Sequence, residues 1–428
     1  MAVRLQFEGI RCFAEPQDAV IRPITLLVGE NSSGKTTFLA LCRIAHAIAN
    51  GSVRNPPFNA DPFWLGAYDQ IASYRGGRNG RAKSFSLAIS VDNGARPCSL
   101  RADYLSAGGQ PSPCRWRFVA GDLGIQATSS DGLGSLVLER PNRTIEVPYV
   151  GILTFDTVTS FPERPGVVEE VAEGTLGLRG DTGLNRAEWD SLARAVHLVH
   201  LEFLGYPYAF APIRTNPHRT YDPIGAEPKP EGSHIPMLLA SLWRSAQQTQ
   251  WNTLLSALKD FGSKSGLFDE IEIVEKGKKE SDPFQVGVKS GGRTFNLIDV
   301  GYGVSQALPI LVDTLRLAGA FETFLLQQPE VHLHPRAQAE LGSFFARLVG
   351  GKRRFVIETH SDYLVDRIRM EVRRKLLRPE DVSLLYFERG KAGATIHNLE
   401  LDANGSITNP PPGFRQFFLK EELDLLGI

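Results

Sequence analysis

The chain is short of cysteine, of long apolar runs and of net charge, and each shortage removes a class of protein. Its four cysteines, Cys12, Cys42, Cys98 and Cys114, form no C-x-x-C pair. That spacing offers neither a disulfide framework nor a zinc site, so the thiols are expected to be reduced, as in a cytoplasmic protein. No stretch approaches the ~18 consecutive apolar residues of a membrane helix. The first residues lack the basic start and apolar core of a signal peptide, so no membrane partner is expected. Formal net charge is −1 over 428 residues. This argues against a broadly basic surface for nucleic acid, although a local patch remains compatible with it. There is no sustained heptad array, which excludes a long coiled-coil arm, and no internal repeat or low-complexity tract. The remaining composition, 42% hydrophobic and 22% charged, is that of a folded chain with two or three domain-sized units.

Against these absences, one local pattern is dense with information. Residues Gly29-Glu30-Asn31-Ser32-Ser33-Gly34-Lys35-Thr36 follow the spacing Gly, four residues, Gly-Lys-Thr, with Thr37 next. An apolar β-prone run, Ile24 to Val28, precedes them, and a helix-prone stretch, Phe38 to Ala49, follows. Strand, loop and helix in that order form the context a phosphate-binding loop requires. Its glycines let backbone approach an anion without a Cβ in the way. Successive N–H groups and the helix N-terminus then point at phosphate oxygens, Lys35 adds a point charge, and the Thr36 hydroxyl can face Mg²⁺. The expected ligand is a nucleoside triphosphate.

Three further motifs lie in the second half. The apolar run Phe324-Leu325-Leu326 ends in Gln327-Gln328-Pro329-Glu330, followed by Val331-His332-Leu333-His334-Pro335. An apolar strand ending in polar residues is where P-loop ATPases place the acid that holds Mg²⁺ and, beside it, the group that orients the attacking water. A second buried strand, Phe355 to Ile357, leads into Glu358-Thr359-His360-Ser361 and delivers a histidine at its carboxyl end. Between the loop and these strands, Gly301-Tyr302-Gly303-Val304-Ser305-Gln306 opens an apolar helix and reads as a second anion-binding N-terminus. One triphosphate seldom needs two such turns in one molecule, whereas two copies facing each other would use both. His332 and His334 are read as loop histidines, since a metal site needs more ligands than a pair. The basic clusters Lys276 to Lys279 and Arg373 to Lys375 are read as solvated faces.

Taken together, the P-loop, the Gly-x-Gly-x-Ser-Gln helix start, Pro-Glu-x-His-Leu-His-Pro and Glu-Thr-His-Ser resemble the OLD-like, AAA-type branch of the ABC-class ATPases, including stand-alone members associated with bacterial anti-phage defence. Ala211-Pro212-Ile213-Arg214 and Pro411-Pro412-Gly413-Phe414 also resemble that branch. The resemblance implies an α/β fold, an ABC-type P-loop ATPase head with a β-rich insertion between its two lobes. It implies ATP and Mg²⁺ as cofactors, and a homodimer or larger even-numbered assembly in which two heads sandwich two ATP molecules. Lys35 of one head and the turn at Gly301, Gly303 and Ser305 of the other would hold each γ-phosphate. Gln327 would stand at the metal position beside Thr36, His360 would sense the γ-phosphate, and Gln70 would couple the lobes near the metal. It further implies a sensor or scaffold acting through a separate effector protein, with a RecF- or SMC-like DNA-repair clamp as the alternative. Fewer than 45 residues follow Leu385, too few for an appended nuclease domain, so none is expected.

The pattern is broken where the chemistry should be strongest. The branch carries an acid at the end of the Mg²⁺ strand, and here Gln327 and Gln328 stand at that position and the next. A carboxamide accepts a hydrogen bond but carries no charge and cannot act as a base. Natural loss and an engineered Glu→Gln exchange would give the same letters. Slow hydrolysis is therefore expected, with Glu330 as the nearest remaining acid. The expected domains are residues 1–79 as an N-lobe, 80–204 as a β-rich and helical insertion with loop over 161–183, and 205–428 as a C-lobe.

Overall fold

A computed structural model describes residues 2–53, 55–92, 97–130, 133–141, 143–147, 185–203, 206–225, 227–245, 248–317, 322–349, 353–391, 393–408, 410–412 and 414. The expected loop at 161–183 lies outside these residues, as does Gly413. The chain is mixed α/β and divides into two compact units, each built from three separate segments: Met1–Arg22, Gly29–Tyr206 and Leu385–Asn398 form the first, and Pro23–Val28, Pro207–Leu384 and Leu399–Ile428 the second.

The first unit is organised by an eight-stranded antiparallel sheet in the order Arg143–Val147, Leu133–Arg140, Leu123–Ser130, Gln110–Ala120, Cys98–Ala107, Phe85–Asp92, Ala2–Glu8, Gln17–Ile21. Period-two alternation explains the sheet, because it gives each strand one apolar face. Val3, Leu5 and Phe7 stand opposite Val91, Ile89 and Leu87, and all six are buried. The β-rich segment that begins near residue 80 therefore continues the sheet begun by the first strand. Helix Lys35–Ala49 covers this face, with Phe38 and Phe13 packed against Phe7 at ring distances of 6.1 and 5.1 Å. Helix Arg186–Glu202 starts with a reciprocal cap between Asn185 and Glu188, and Glu188 also pairs with Arg140 at 2.7 Å. The segment Leu385–Asn398 is latched to strand Gln17–Ile21: the Asn398 side chain accepts the Val20 N–H and donates to the Asp18 carbonyl.

The second unit carries parallel strands in the order Tyr208–Phe210, Thr323–Gln327, Arg354–Glu358, Ile24–Gly29, the last contributing residues 24–28. Their near-continuous burial is the signature of strands covered on both faces. Helices Pro335–Leu348 and Asp362–Arg373 follow two of these strands and pack on each other. A three-stranded sheet, Glu270–Glu275, Phe284–Ser290 and Arg293–Asn296, precedes helix Tyr302–Arg316. Register fixes what matters for the site: Gln327 stands beside Glu358, and Glu358 beside Leu27, so three carboxyl ends of strands lie abreast.

Candidate nucleotide site and strand-end cluster

In the first unit, the loop expected from Gly29 to Thr36 has the backbone of an anion cradle. Gly29 has φ 140°, Ser32 φ 60° and Gly34 φ 98°, so positive-φ residues interrupt the turn, the kind of backbone alternation from which anion-binding nests are built. Glycine is required at both ends. A Cβ on Gly29 would lie 2.3 Å from the Phe387 carbonyl oxygen, and one on Gly34 2.4 Å from the Phe13 ring. Helix Lys35–Ala49 starts at Gly34 with no side-chain cap and no acid in its first turn. Its N-terminal dipole is thus left for an anion. Lys35 is 3% exposed, and its Nζ donates to the Gly29 carbonyl at 2.9 Å and the Glu30 carbonyl at 2.6 Å. Ser33 Oγ also donates to the Glu30 carbonyl, at 2.8 Å. Asn31, Ser32 and Thr36 are exposed at the mouth, whereas Thr37 is buried and accepts from Arg11 at 3.3 Å. These groups fit a triphosphate, and the exposed Thr36 hydroxyl fits a Mg²⁺ ligand.

A cavity of about 480 Å³ opens beside the loop within the same unit. Ser32 lines it together with four cations, Arg11, Arg75, Arg389 and Lys391, the aromatic ring of Tyr74, and a single acid, Glu15. Arg75 is paired with Glu15 at 2.8 Å. Arg11 reaches the Leu65 carbonyl at 3.0 Å, and burial lowers its pKa. Apart from Ser32, sequence reading missed these residues because they come from three distant stretches that carry no motif.

The second unit gathers Gln327, Gln328, Glu330 and His360. Gln327 ends its strand 6% exposed, and its Nε2 has no hydrogen-bond partner. A carboxylate there would present no such orphaned donor. The carboxamide fits Mg²⁺ only as a neutral oxygen, without the charge a metal position gains from an acid. Gln328 is half-buried in the left-handed region at φ 41°, and its N–H donates to the Glu358 carbonyl at 2.8 Å. Glu330 is 7% exposed, and its Oε1 accepts the His360 N–H at 2.7 Å. Burial pushes its carboxyl above the usual range, opposed by that N–H, by Thr359 and by Arg214. His360 itself is exposed.

The helix start at Gly301 also belongs to the second unit. Gly301 is exposed in open space, Gly303 is buried beside the His332 carbonyl, and Ser305 is buried with its hydroxyl donating to the Tyr302 carbonyl at 2.9 Å. His334 caps helix Pro335–Leu348, and His332, at φ 67°, lies against Tyr302 with ring centres 5.8 Å apart. Gln70, in the first unit, is exposed, and its Oε1 accepts the Ala67 N–H at 3.0 Å, which closes the short helix Tyr68–Ile71. Among the described residues, no group of three His, Cys, Asp or Glu could hold a metal ion, and no described helix is long and apolar enough to cross a membrane.

Residues 247–366 match a family model described as an AAA domain, putative AbiEii toxin, Type IV TA system. The matched stretch includes the Gly301 turn, Gln327, Gln328, Glu330 and His360, and leaves the phosphate loop outside. No curated protein matches the chain. Among solved structures, it is similar to the Smc head bound to the C-winged helix domain of ScpA, with TM-score 0.44 and 10% identity over 93% of this chain and 97% of that one. The SMC head domain from Thermotoga maritima gives TM-score 0.43 and 12% identity over 94% and 99%. A third is the Smc head with an extended coiled coil, bound to the C-terminal domain of ScpA, from Pyrococcus furiosus, with TM-score 0.42 and 10% identity over 99% and 98%.

Proposed function

We propose that this chain is an ABC-class ATPase that binds ATP with Mg²⁺ on Gly29 to Thr37 and uses it to join two copies. The observation that supports this best is the loop: left-handed turns, an uncapped helix start and a lysine folded over it form an anion cradle. Lys35, Thr36 and the loop N–H groups hold the triphosphate on one copy. The exposed Gly301 turn of the other copy offers a second uncapped helix start to the γ-phosphate. Hydrolysis is slow because Gln327 and Gln328 supply no carboxylate, so the ATP-bound pair persists. A long-lived pair suits a sensor that signals to a separate effector rather than a motor. The family description over 247–366, which names a putative toxin of a toxin–antitoxin system, favours a role in bacterial defence.

Mass measurement with and without ATP and Mg²⁺ tests the reading. The unmodified chain is expected to double in mass with Mg–ATP. Lys35→Ala removes charge-assisted bonds worth about 1.5–3 kcal/mol each, so ATP affinity should fall at least tenfold and the doubled species should vanish. Gly301→Glu adds an exposed acid at an ordinary φ of −59°, where a Cβ meets nothing. It should block pairing and leave the ATP affinity of the single copy within about twofold, since rim charges act mainly on association. Ser305 is a poorer probe, because its burial would confound pairing with folding. Equal masses with and without nucleotide would refute dimerisation, and unchanged ATP affinity in Lys35→Ala would refute the site.

A further inference from the structure

Arg214 is the largest fully buried side chain among the described residues, 2% exposed, and it lies in the second unit with the strand-end cluster. Its guanidinium is under-satisfied: Nε and Nη1 have no hydrogen-bond partner, and Nη2 makes only a long contact of 3.5 Å to the Gln327 carbonyl. Two more buried orphans belong to the same cluster, Gln327 Nε2 and Glu330 Oε2. The Arg214 backbone N–H reaches Gln306 Oε1 at 3.4 Å, in the first turns of the helix that starts at Gly301. A buried guanidinium with so few hydrogen bonds persists only if a carboxylate balances its charge. Glu330 is the acid that interacts with it electrostatically, and burial nevertheless lowers the Arg214 pKa to about 10. No direct ion pair within 4 Å joins the two, so the interaction acts through space, where a low-dielectric interior transmits it.

We propose that Arg214 is a positioning residue that ties the Gly301 helix start to the carboxylate of Glu330 and, through the His360 N–H, sets the place of His360. Each link lies within the second unit. Gln306 meets the Arg214 backbone, Arg214 Nη2 meets the Gln327 carbonyl, Arg214 interacts electrostatically with Glu330 without direct contact, and Glu330 Oε1 holds the His360 N–H. A shift of the helix start on pairing would thereby reach His360 without passing through nucleotide. The same path explains why Glu330 is retained where Gln327 and Gln328 carry no charge. Its carboxylate is needed as the partner of a buried cation and as the acceptor for His360. This rests on the pairing proposed above.

The test is a double-mutant cycle on the full chain with Arg214→Met, Glu330→Gln and both together. It has two readouts, the urea midpoint without nucleotide and the doubled mass with Mg–ATP. Each single change strands a buried group, so each should lower the midpoint, and the double variant should recover much of the loss. Both single variants should weaken ATP-dependent pairing at least tenfold, and in Arg214→Met a fluorescent ATP analogue should still bind the single copy within twofold of normal. Arg214→Lys should restore the midpoint more than the pairing, because lysine returns the charge without the planar fork. Midpoint losses that simply sum would overturn the Arg214–Glu330 pairing. Normal pairing in Arg214→Met would overturn the positioning role while leaving the dimer intact. If the unmodified chain never pairs, the reading of the previous section fails and the positioning role falls with it, while the urea cycle still decides whether Arg214 and Glu330 are coupled.

Discussion

Replacing Gln328 with glutamate tests the claim that the missing carboxylate limits hydrolysis. The change is isosteric and half-buried. The N–H of residue 328 still donates to the Glu358 carbonyl at 2.8 Å, and its carbonyl still accepts from Val331 at 3.2 Å. The left-handed backbone, φ 41°, is already borne by a non-glycine residue, so no new strain arises. Stability should therefore move by no more than about 0.5 kcal/mol. A positioned base contributes about 10²–10⁴ in rate, equivalent to about 2.7–5.4 kcal/mol of barrier at 1.36 kcal/mol per decade. Single-turnover hydrolysis of ATP, with enzyme in excess over radiolabelled nucleotide, reads the chemical step without product release. Gln328→Glu should accelerate it by at least a hundredfold at unchanged ATP affinity. The reasoning fails if the unmodified chain already hydrolyses at an ordinary rate, on the order of 10 s⁻¹, or if the variant binds ATP normally and gains less than tenfold.

Three other outcomes follow from the packing and the charges. Gly34→Ala puts a Cβ 2.4 Å from the Phe13 ring at φ 98°, so urea unfolding should show a loss of about 1–3 kcal/mol and ATP binding should weaken with it. Tyr208 donates to Asp313 Oδ2 at 2.8 Å, and Asp313 is fully buried with His234 Nε2 on its other oxygen at 3.1 Å. Tyr208→Phe should cost about 1–3 kcal/mol in the same assay, because the carboxylate loses a donor it cannot replace from water. Glu330 carries a raised pKa, so the folded chain keeps a proton that the unfolded chain has released. Stability from this group is present near the ordinary glutamate value of about 4.3 and is lost as pH rises through the raised value. Glu330→Gln should flatten that part of the pH–stability curve; an identical slope in both proteins would place the titration elsewhere.

Local chemistry was readable from the sequence where a motif is contiguous. The loop at Gly29, the helix start at Gly301 and the strand ending at Gln327 each lie within a dozen residues, and spacing alone places them on loop, helix and strand. The α/β class follows from the same rhythm. Pairings between distant segments were not readable. Nothing in Ala2–Glu8 announces that its neighbour is Phe85–Asp92, because alternation fixes which face is buried but not which strand lies alongside. Arg214 could be recognised within Ala-Pro-Ile-Arg, yet its burial depends on Gln327 and Glu330 more than 100 residues away. The cationic cavity beside Ser32 draws on four stretches for the same reason. The burial of Glu330 was not readable either, because its distance along the chain from Gln328 says little about its position once the turn at Gln328 and the His360 N–H have folded it inward.

The strand Ile24–Gly29 has a consequence for how the protein is made. Its neighbour in the second unit is Arg354–Glu358, paired Phe355 to Ile24, so it waits for a segment translated more than 300 residues later. At roughly 5–20 residues per second, that delay is on the order of 15–60 s. During it, four apolar residues, Ile24, Leu26, Leu27 and Val28, have no sheet to join while the segments on either side of them emerge. The nascent chain therefore carries an unmated, aggregation-prone strand through that interval, and its yield should depend on holdase chaperones and on growth temperature more steeply than that of a chain whose neighbouring strands are consecutive.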